Sequence, residues 1–283
     1  MDISTFTSHR RMLATASGEI AYTEFGTGPA AVFVHGVVTS GALWRHAIEQ
    51  VSAGTRCVAV DLPGHGGTPP RADMSVTAIA GLVVDLCEAL GLDQVDLVGC
   101  DTGGAIAQLV AVRRPDLLRS LVLTNCDTEG NFPPPAFMPV VEAARLGAIA
   151  ELLTTLAADP AAARASVIAD NYEHPDKVPD EVWMEYLTPV AGDLERARHF
   201  ERLLAALAPG EMAGVNDQLR SLDVPTLLVW GTAVDGFGME WACRLRDLLP
   251  GAREVIEVDG AKLFFPEERP EELAVQLRRH WGR

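Results

Sequence analysis

The sequence predicts an α/β protein: a mostly parallel sheet with helices on both faces and a helical cap inserted between two parts of the sheet. Three observations predict it. Short apolar runs alternate with helical patterns in the first half, a proline-rich segment then breaks this alternation, and strand patterns return only near the end. The predicted units are residues 1–130 for the first part of the core, 131–219 for the cap and 220–283 for the second part of the core.

The first part of the core shows repeated strand–helix winding. Short apolar runs are each followed by a longer stretch with helical periodicity, and this order favours parallel strands covered by helices. The predicted strands are Ala30 to His35, Cys57 to Asp61, Val95 to Val98 and Ser120 to Thr124, and the predicted helices are Leu43 to Val51, Val76 to Leu90 and Ala105 to Arg113.

The alternation ends at Asn131 to Pro135, which reads Asn-Phe-Pro-Pro-Pro. Consecutive prolines keep the backbone extended and remove amide donors that a sheet ladder requires, so this segment predicts a boundary. The residues from Ala136 to Leu219 show helical patterns and no convincing strand. Beyond them the predicted strands are Pro225 to Trp230 and Glu254 to Val258, and the predicted helices are Trp241 to Leu249 and Pro270 to Trp281.

Composition and charge narrow the range of partners. Of the 283 residues, 48% are hydrophobic and 22% are charged, which is typical of a globular protein with a sizeable core. The formal net charge of -16 would repel phosphate backbones and anionic lipid surfaces. We therefore expect a small-molecule substrate, with neither nucleic acid nor a membrane as a partner.

The five cysteines are scattered, odd in number and never spaced as Cys-x-x-Cys. This pattern disfavours both a disulfide framework and a zinc site, and it favours reduced thiols in the cytoplasm. The first residues lack an apolar signal core, and no run approaches the roughly 20 apolar residues that cross a bilayer. We expect no metal or other cofactor, and a homodimer is an open alternative to a monomer.

The segment Gly99 to Gly104, Gly-Cys-Asp-Thr-Gly-Gly, lies where a predicted strand meets a predicted helix. A turn this sharp needs glycines beside its central residue and raises that residue's side chain above the sheet. Asp101 is the central residue, so its carboxylate is the first candidate for chemistry. The alternative interpretation is that Asp101 caps the helix that follows, because aspartate is a good N-cap residue.

With this segment, three further motifs resemble those of the α/β-hydrolase family, in particular the aspartate-nucleophile branch that includes haloalkane dehalogenases and epoxide hydrolases. They are His35-Gly36, Asp61 to Gly66 and Pro266 to Pro270, and the resemblance covers nearly the whole chain. It implies an eight-stranded, mostly parallel sheet with an inserted helical cap.

The resemblance also implies a mechanism. Asp101 would be the nucleophile that attacks an sp³ carbon and forms an alkyl-enzyme ester, which a histidine would hydrolyse by activating water. The backbone amides of Val37 and Thr102 would face the oxyanion that forms as water attacks. The substrate would be a small or medium apolar organic molecule.

The sequence departs from the family pattern at the residues that support hydrolysis. Leu263 stands where the resemblance places the histidine, and leucine cannot move a proton. The acid that would orient the histidine is expected at Val234, next to Asp235, while Asp127 occupies a second position used by some relatives. An ester on Asp101 is therefore expected to form and then persist unless another group activates water.

Other side chains are candidates for the missing roles. A histidine, or a lysine whose pKa is lowered by burial, could act as a base, and cap tyrosines could donate to an epoxide oxygen. The candidate pocket or base residues are His35, Tyr172, His174, Tyr186 and Lys262. Thr102 and Val37 also replace the tryptophan and asparagine with which dehalogenases hold halide, so the halide seat is expected to be absent.

Three functions remain open from the sequence. The first is a hydrolase with a non-standard triad and Asp101 as its nucleophile. The second is a lyase, isomerase or cyclase in which Asp101 is a general base. The third is a ligand-binding protein that has kept the pocket and lost the chemistry. The strained turn at Asp101, which folding alone would not require, favours chemistry over binding alone.

Overall fold

The computed structural model describes residues 1–283 and contains one eight-stranded sheet. Its strands are β1 (Arg10–Thr15), β2 (Gly18–Phe25), β3 (Ala30–Val34), β4 (Arg56–Val60), β5 (Val95–Asp101), β6 (Leu118–Cys126), β7 (Thr226–Gly231) and β8 (Ala252–Val258). The spatial order is β1-β2-β4-β3-β5-β6-β7-β8, and only the pairs β1–β2 and β2–β4 are antiparallel. The predicted fold class, a mostly parallel eight-stranded sheet, is confirmed.

The inner strands are the ones that the apolar runs predict. Every residue of β3, β5 and β7 is buried, as expected for parallel strands covered on both faces. Strand β1 lies at the edge of the sheet and has no buried residue, so its sequence, Arg10–Thr15, contains no continuous apolar run. For this reason β1 and β2 are not recognisable from the local pattern.

Thirteen α-helices connect and flank the strands. They are α1 (Ile3–Ser8), α2 (Arg45–Val51), α3 (Val76–Ala89), α4 (Thr102–Arg113), α5 (Met138–Arg145), α6 (Ala150–Ala158), α7 (Pro160–Arg164), α8 (Asp180–Ala191), α9 (Leu194–Ala206), α10 (Val215–Leu219), α11 (Met239–Leu248), α12 (Phe265–Glu268) and α13 (Pro270–Trp281). Helix α2 packs on α13 and helix α3 packs on α4, which gives the sheet helices on both faces.

The chain between β6 and β7 contains helices α5 to α10 and no regular strand. Helix α9 packs against α5, α6 and α8, so these helices form a layer of their own. This arrangement agrees with an inserted helical segment, and the assignment of residues 131–219 as a separate cap stays a prediction.

The strand order brings three loops together at the carboxyl edge of the sheet. Strand β5 lies between β3 and β6, with Val34 paired to Gly99 on one side and Cys126 paired to Asp101 on the other. Residues that follow β3 and β6 therefore flank Asp101. In open α/β sheets this edge is where ligands bind.

Some global features concern partners and cofactors. All five cysteines are free, and all except Cys243 are buried. No helix has the length and apolar character needed to span a bilayer. No group of three or more His, Cys, Asp or Glu side chains has an arrangement that could hold a metal ion.

Candidate active site

Asp101 ends β5 and directly precedes the first residue of α4. Its backbone has φ 55° and ψ -135°, a conformation that costs an L-residue about 1–3 kcal/mol. The side chain makes no capping hydrogen bond with helix α4, so the alternative interpretation of Asp101 as an N-cap is wrong. The strain therefore holds the carboxyl group at the tip of the turn, as the glycine-rich segment predicts.

The glycines of this segment allow a close approach of neighbouring elements. A Cβ atom on Gly103 would lie 2.3 Å from the carbonyl oxygen of His35, and one on Gly104 would lie 2.2 Å from Cβ of Cys126. Both distances are far below van der Waals contact. Helix α4 can therefore start this near β3 and β6 only because these positions lack side chains.

One backbone amide holds the Asp101 carboxylate. The Val37 amide donates to Asp101 Oδ2 at 3.0 Å. Gly36 leaves room for this oxygen, since a Cβ there would lie 2.0 Å from it. Of the two amides predicted for the oxyanion, that of Val37 thus contacts one oxygen of Asp101 itself, and the residue keeps 8% exposure.

A second carboxyl group, that of Asp127, lies next to Asp101 at the end of β6. Its Oδ2 accepts a hydrogen bond from the Thr102 hydroxyl at 2.9 Å, while its Oδ1 is buried without a partner. Burial raises the pKa of Asp101, and burial together with the Asp101 charge raises the pKa of Asp127 well above its ordinary value. Two like charges this close favour a state in which the pair holds one proton.

Leu263 occupies the loop after β8 and reaches the elbow. The Leu263 carbonyl oxygen is 3.8 Å from the Sγ of Cys100, the residue before Asp101, and the leucine side chain is buried. Cys100 is fully buried, as predicted, and burial raises the pKa of its thiol. This side of Asp101 therefore offers an apolar side chain and no group that titrates near neutral pH.

His35 is not the missing base, and its candidacy is wrong. Its Nδ1 lies 2.7 Å from the Gly36 carbonyl oxygen, to which it must donate, and its Nε2 accepts from the Leu62 amide at 2.9 Å. Both ring nitrogens are thus occupied. Complete burial also lowers the pKa of His35 well below its ordinary value, so the ring stays neutral and serves to orient the loop after β3.

Tyr172 and Tyr186 belong to a buried polar cluster instead of donating to a substrate at Asp101. Their hydroxyls donate to Glu267 Oε2 at 2.7 Å and 2.9 Å, and Arg45 Nη1 lies 2.5 Å from Glu267 Oε1. All four side chains are buried. The prediction that these tyrosines activate an epoxide oxygen is therefore wrong, because both hydroxyl protons are already engaged.

Residues 171–174, which include Tyr172 of this cluster, are joined to the segment after β8 by hydrogen bonds of their backbone. The Phe264 amide donates to the Asn171 carbonyl oxygen at 3.0 Å. The Glu268 carboxylate accepts from the Glu173 amide at 2.8 Å and from the His174 amide at 2.9 Å. Residues 171–174 are thus fastened to the segment that carries Leu263.

The remaining candidates, Asp235, His174 and Lys262, make no hydrogen bond with Asp101. Asp235 and His174 are exposed, so neither can serve as a buried acid or as a pocket base, and both predictions are wrong. Lys262 is half-buried and its ammonium group has no carboxylate partner among the ion pairs of the chain. Lys262 is also absent from the lining of three surface cavities of the protein.

Sequence reasoning missed the pairing of Arg45 with Glu267. Glu267 lies in the Pro-Glu-Glu-Arg-Pro motif, which the sequence marked only as a helix start, and Arg45 follows Trp44 in a predicted helix. The arginine in the predicted core helix Leu43 to Val51 is the signal that could have suggested a buried ion pair. Its partner could not be chosen, since more than 200 residues separate the two.

A surface cavity lies near the loop that holds Val37, and Asp101 is not among its lining residues. It measures about 460 Å³ and lies between the Gly64–Pro70 turn and helix α9, with Phe200 among its lining residues. The Phe200 ring packs edge-on against the His65 ring, with 5.4 Å between centroids. His65 Nε2 in turn accepts from the Val38 amide at 3.3 Å, so the rings of Phe200 and His65 lie between this cavity and Val38.

Comparisons with known proteins agree with this fold. A family profile described as alpha/beta hydrolase fold matches residues 29–268. Epoxide hydrolase 2 of Siraitia grosvenorii is 43% identical over 101 residues, which are 34% of this chain and 32% of that protein. Haloalkane dehalogenase 2 of Mycobacterium tuberculosis is 27% identical over 281 residues, 96% of this chain and 94% of that protein.

A solved structure extends the likeness to the fold. Haloalkane dehalogenase DbeA from Bradyrhizobium elkani USDA94 superposes with a TM-score of 0.80 at 21% identity, covering 95% of each chain. The stronger local match, to the epoxide hydrolase, spans about a third of that relative's length. The predicted resemblance to the dehalogenase and epoxide hydrolase branch is confirmed by these matches.

Proposed function

Because this chain belongs to the α/β-hydrolase fold family, we propose that it is an enzyme that attacks an sp³ carbon of a small or medium apolar molecule with the Asp101 carboxylate. The resulting alkyl-enzyme ester is then hydrolysed by water without help from a histidine. Epoxides are the favoured substrates, with alkyl halides second. A cytoplasmic location and a homodimer stay predictions.

One observation carries this proposal: Asp101, in a strained turn, accepts a hydrogen bond from the Val37 amide on Oδ2, at 3.0 Å. With Oδ2 held, Oδ1 is the oxygen that attacks carbon, and Oδ2 becomes the carbonyl oxygen of the ester. When water adds to the ester carbon, negative charge develops on Oδ2. The Val37 amide is then already in place to stabilise that charge.

The leaving group favours epoxides over halides. An alkyl halide releases a free anion, and the positions of Val37 and Thr102 supply no indole or amide side chain to bind it. An epoxide releases an alkoxide that stays attached to the product and needs only a proton. The relative that matches 101 residues of this chain is named an epoxide hydrolase, which supports the same choice.

Intact-mass measurement after a denaturing quench tests the proposal. The protein is incubated with a panel of terminal and aromatic epoxides and of short alkyl halides. We expect a mass gain equal to the whole epoxide, or to the halide substrate less hydrogen halide, on one site per chain. The gain should map to the peptide that contains Asp101.

Two matched variants control this measurement. Asp101→Asn should show no mass gain, whereas Asp176→Asn, which changes an exposed carboxyl group, should behave as the unmodified protein does. The proposal is refuted by the absence of both adduct and product with every member of the panel. An adduct that persists in Asp101→Asn refutes it equally, since another side chain would then be the nucleophile.

A second function, in which Asp101 is a general base of an isomerase or lyase, is favoured by one specific observation. Burial raises the pKa of Asp101 to about 7, close to the value that suits a general base at neutral pH. This function predicts product formation that requires Asp101 and never yields a trapped adduct. The mass measurement therefore separates the two functions, and ligand binding that survives Asp101→Asn without product would indicate a binding protein.

A further inference from the structure

Asp127 has the contacts of a group that exchanges protons with the Asp101 site. It directly follows Cys126, which pairs with Asp101 in the sheet, and its own amide donates to the Asp101 carbonyl oxygen at 3.3 Å. Its Oδ2 contacts the hydroxyl of Thr102, the residue after the proposed nucleophile, at 2.9 Å. Its Oδ1 is buried with no partner at all.

No cation neutralises this pair of carboxyl groups. Neither Asp101 nor Asp127 takes part in any ion pair, and the closest titratable neighbours are the thiols of Cys100 and Cys126. Burial raises the pKa of both thiols, so they stay neutral. Gln108 donates to the Asp127 carbonyl oxygen at 2.7 Å and leaves the carboxyl group free. The charge state of each aspartate therefore depends mainly on the other.

We propose that Asp127 performs the acid–base steps of this active site, giving its proton to the leaving oxygen as Asp101 is alkylated and then taking a proton from the attacking water. The Thr102 hydroxyl relays the proton between Asp127 and the substrate. This inference rests on the proposed function. It assigns to Asp127 the activation of water, which Leu263, at the position of the family's histidine, cannot perform.

The proton balance closes over one turnover. Asp101 starts as the anion and Asp127 as the neutral acid. The carbon–oxygen bond of the epoxide breaks as the ester bond forms, and the alkoxide takes the Asp127 proton. Water then adds to the ester carbon and gives a proton to Asp127; collapse of the tetrahedral intermediate releases the alcohol, which takes that proton back. One proton remains on the pair, as at the start.

The timing follows from the charge on Asp101. While Asp101 is ionised, its charge keeps Asp127 protonated, which is the form that can donate. The ester is neutral, so the repulsion disappears once Asp101 has reacted. Asp127 can then remain a carboxylate, which is the form that activates water. A carboxyl group that changes its protonation state in this way acts first as a general acid and then as a general base, as an imidazole can.

The first arm of the test needs no substrate. The carboxyl carbon of Asp127 is followed by NMR in protein labelled with ¹³C-aspartate, and Asp101→Asn imitates the neutral ester. We expect the pKa of Asp127 to fall by about one unit or more in this variant, the size expected for a coupled pair. An unchanged titration of Asp127 in Asp101→Asn overturns the proposal, whatever the substrate proves to be.

The second arm uses a substrate that gives an adduct on the unmodified protein. Asp127→Asn should form the ester more slowly, because it cannot protonate the leaving oxygen, and should accumulate it, with kcat reduced about 10² to 10⁴-fold, the usual contribution of general acid–base catalysis. Thr102→Val should accumulate ester as well, and Thr102→Ser, which keeps the hydroxyl, should restore turnover. Asp176→Asn is the exposed control.

The outcomes separate this inference from the proposed function. Adduct and turnover that continue unchanged in Asp127→Asn, with the same pH profile, overturn the role of Asp127 and leave Asp101 as nucleophile. No adduct on any form of the protein overturns the proposed function instead, and the role of Asp127 with it. Circular dichroism spectra of the variants establish that each is folded.

Discussion

Replacing Glu267 by alanine should lower the free energy of unfolding by about 3–5 kcal/mol, the cost of breaking a buried ion pair from one side. The variant leaves the Arg45 guanidinium buried without a counter-charge. The hydroxyls of Tyr172 and Tyr186 lose their common acceptor in the same step. Urea unfolding followed by tryptophan fluorescence measures the change, and a single transition with an unchanged slope would show that both forms unfold alike.

Two further variants show whether the loss of stability comes from the broken ion pair or from removing any acidic side chain. Glu271 is exposed on helix α13 and has no ion-pair partner, so Glu271→Ala should change stability by less than about 0.5 kcal/mol. The double variant Arg45→Met, Glu267→Leu should recover the part of the loss that comes from the unpaired guanidinium, because apolar residues can replace a buried pair when both charges go. The two tyrosine hydroxyls still lack their acceptor in this variant. A loss of under about 1 kcal/mol in Glu267→Ala would contradict the cluster's structural role.

Asp101→Asn should make the protein more stable above neutral pH, by roughly 2–4 kcal/mol at about pH 8. Burial raises the pKa of Asp101 from 3.8 to about 7, so the folded state binds its proton more tightly than the unfolded chain does. Stability due to this group is therefore fully present below about pH 4 and is lost as the pH rises through about 7. Asparagine carries no charge and avoids this loss.

The expected signature is a difference between variant and parent that grows with pH. Thermal or urea unfolding at several values between about pH 4 and pH 8 measures it, and the two proteins should have nearly equal stability at the acidic end. Asp176→Asn, an exposed change, should give a flat difference across the same range. A loss of stability in Asp101→Asn at the alkaline end would show that the ionised carboxylate is held more favourably than its burial implies.

The core of the fold could be predicted because the inner parallel strands are continuous apolar runs. Val95 to Val98 and Thr226 to Trp230 are buried on both faces of the sheet, and runs this short that end at a glycine favour a strand. The edge strand β1 could not be predicted in this way. Residues 10–15 contact the sheet along one side only, and their half-exposed, charged sequence resembles that of a surface loop.

The position of Asp101 could be predicted because the turn depends on local residues. Glycines at 99, 103 and 104 mark the turn in the sequence, because they permit the close approach of β3, β6 and helix α4. The roles of Tyr172 and His35 could not be predicted, because each depends on a partner chosen by the tertiary structure. A tyrosine hydroxyl goes to the best buried acceptor in reach, here Glu267, which is 95 residues away. An imidazole between a carbonyl and an amide has one tautomer and no free nitrogen, and sequence alone does not reveal these two neighbours.

The fastening of residues 171–174 to the loop after β8 limits how a ligand can enter. Raising helix α8 would separate the Tyr186 hydroxyl from Glu267 and leave that buried carboxylate with one hydrogen bond fewer. Helix α9 faces the Gly64–Pro70 turn across a cavity that Phe200 lines, and no ion pair joins these two elements. We therefore expect a ligand to enter between helix α9 and this turn and not beneath helix α8.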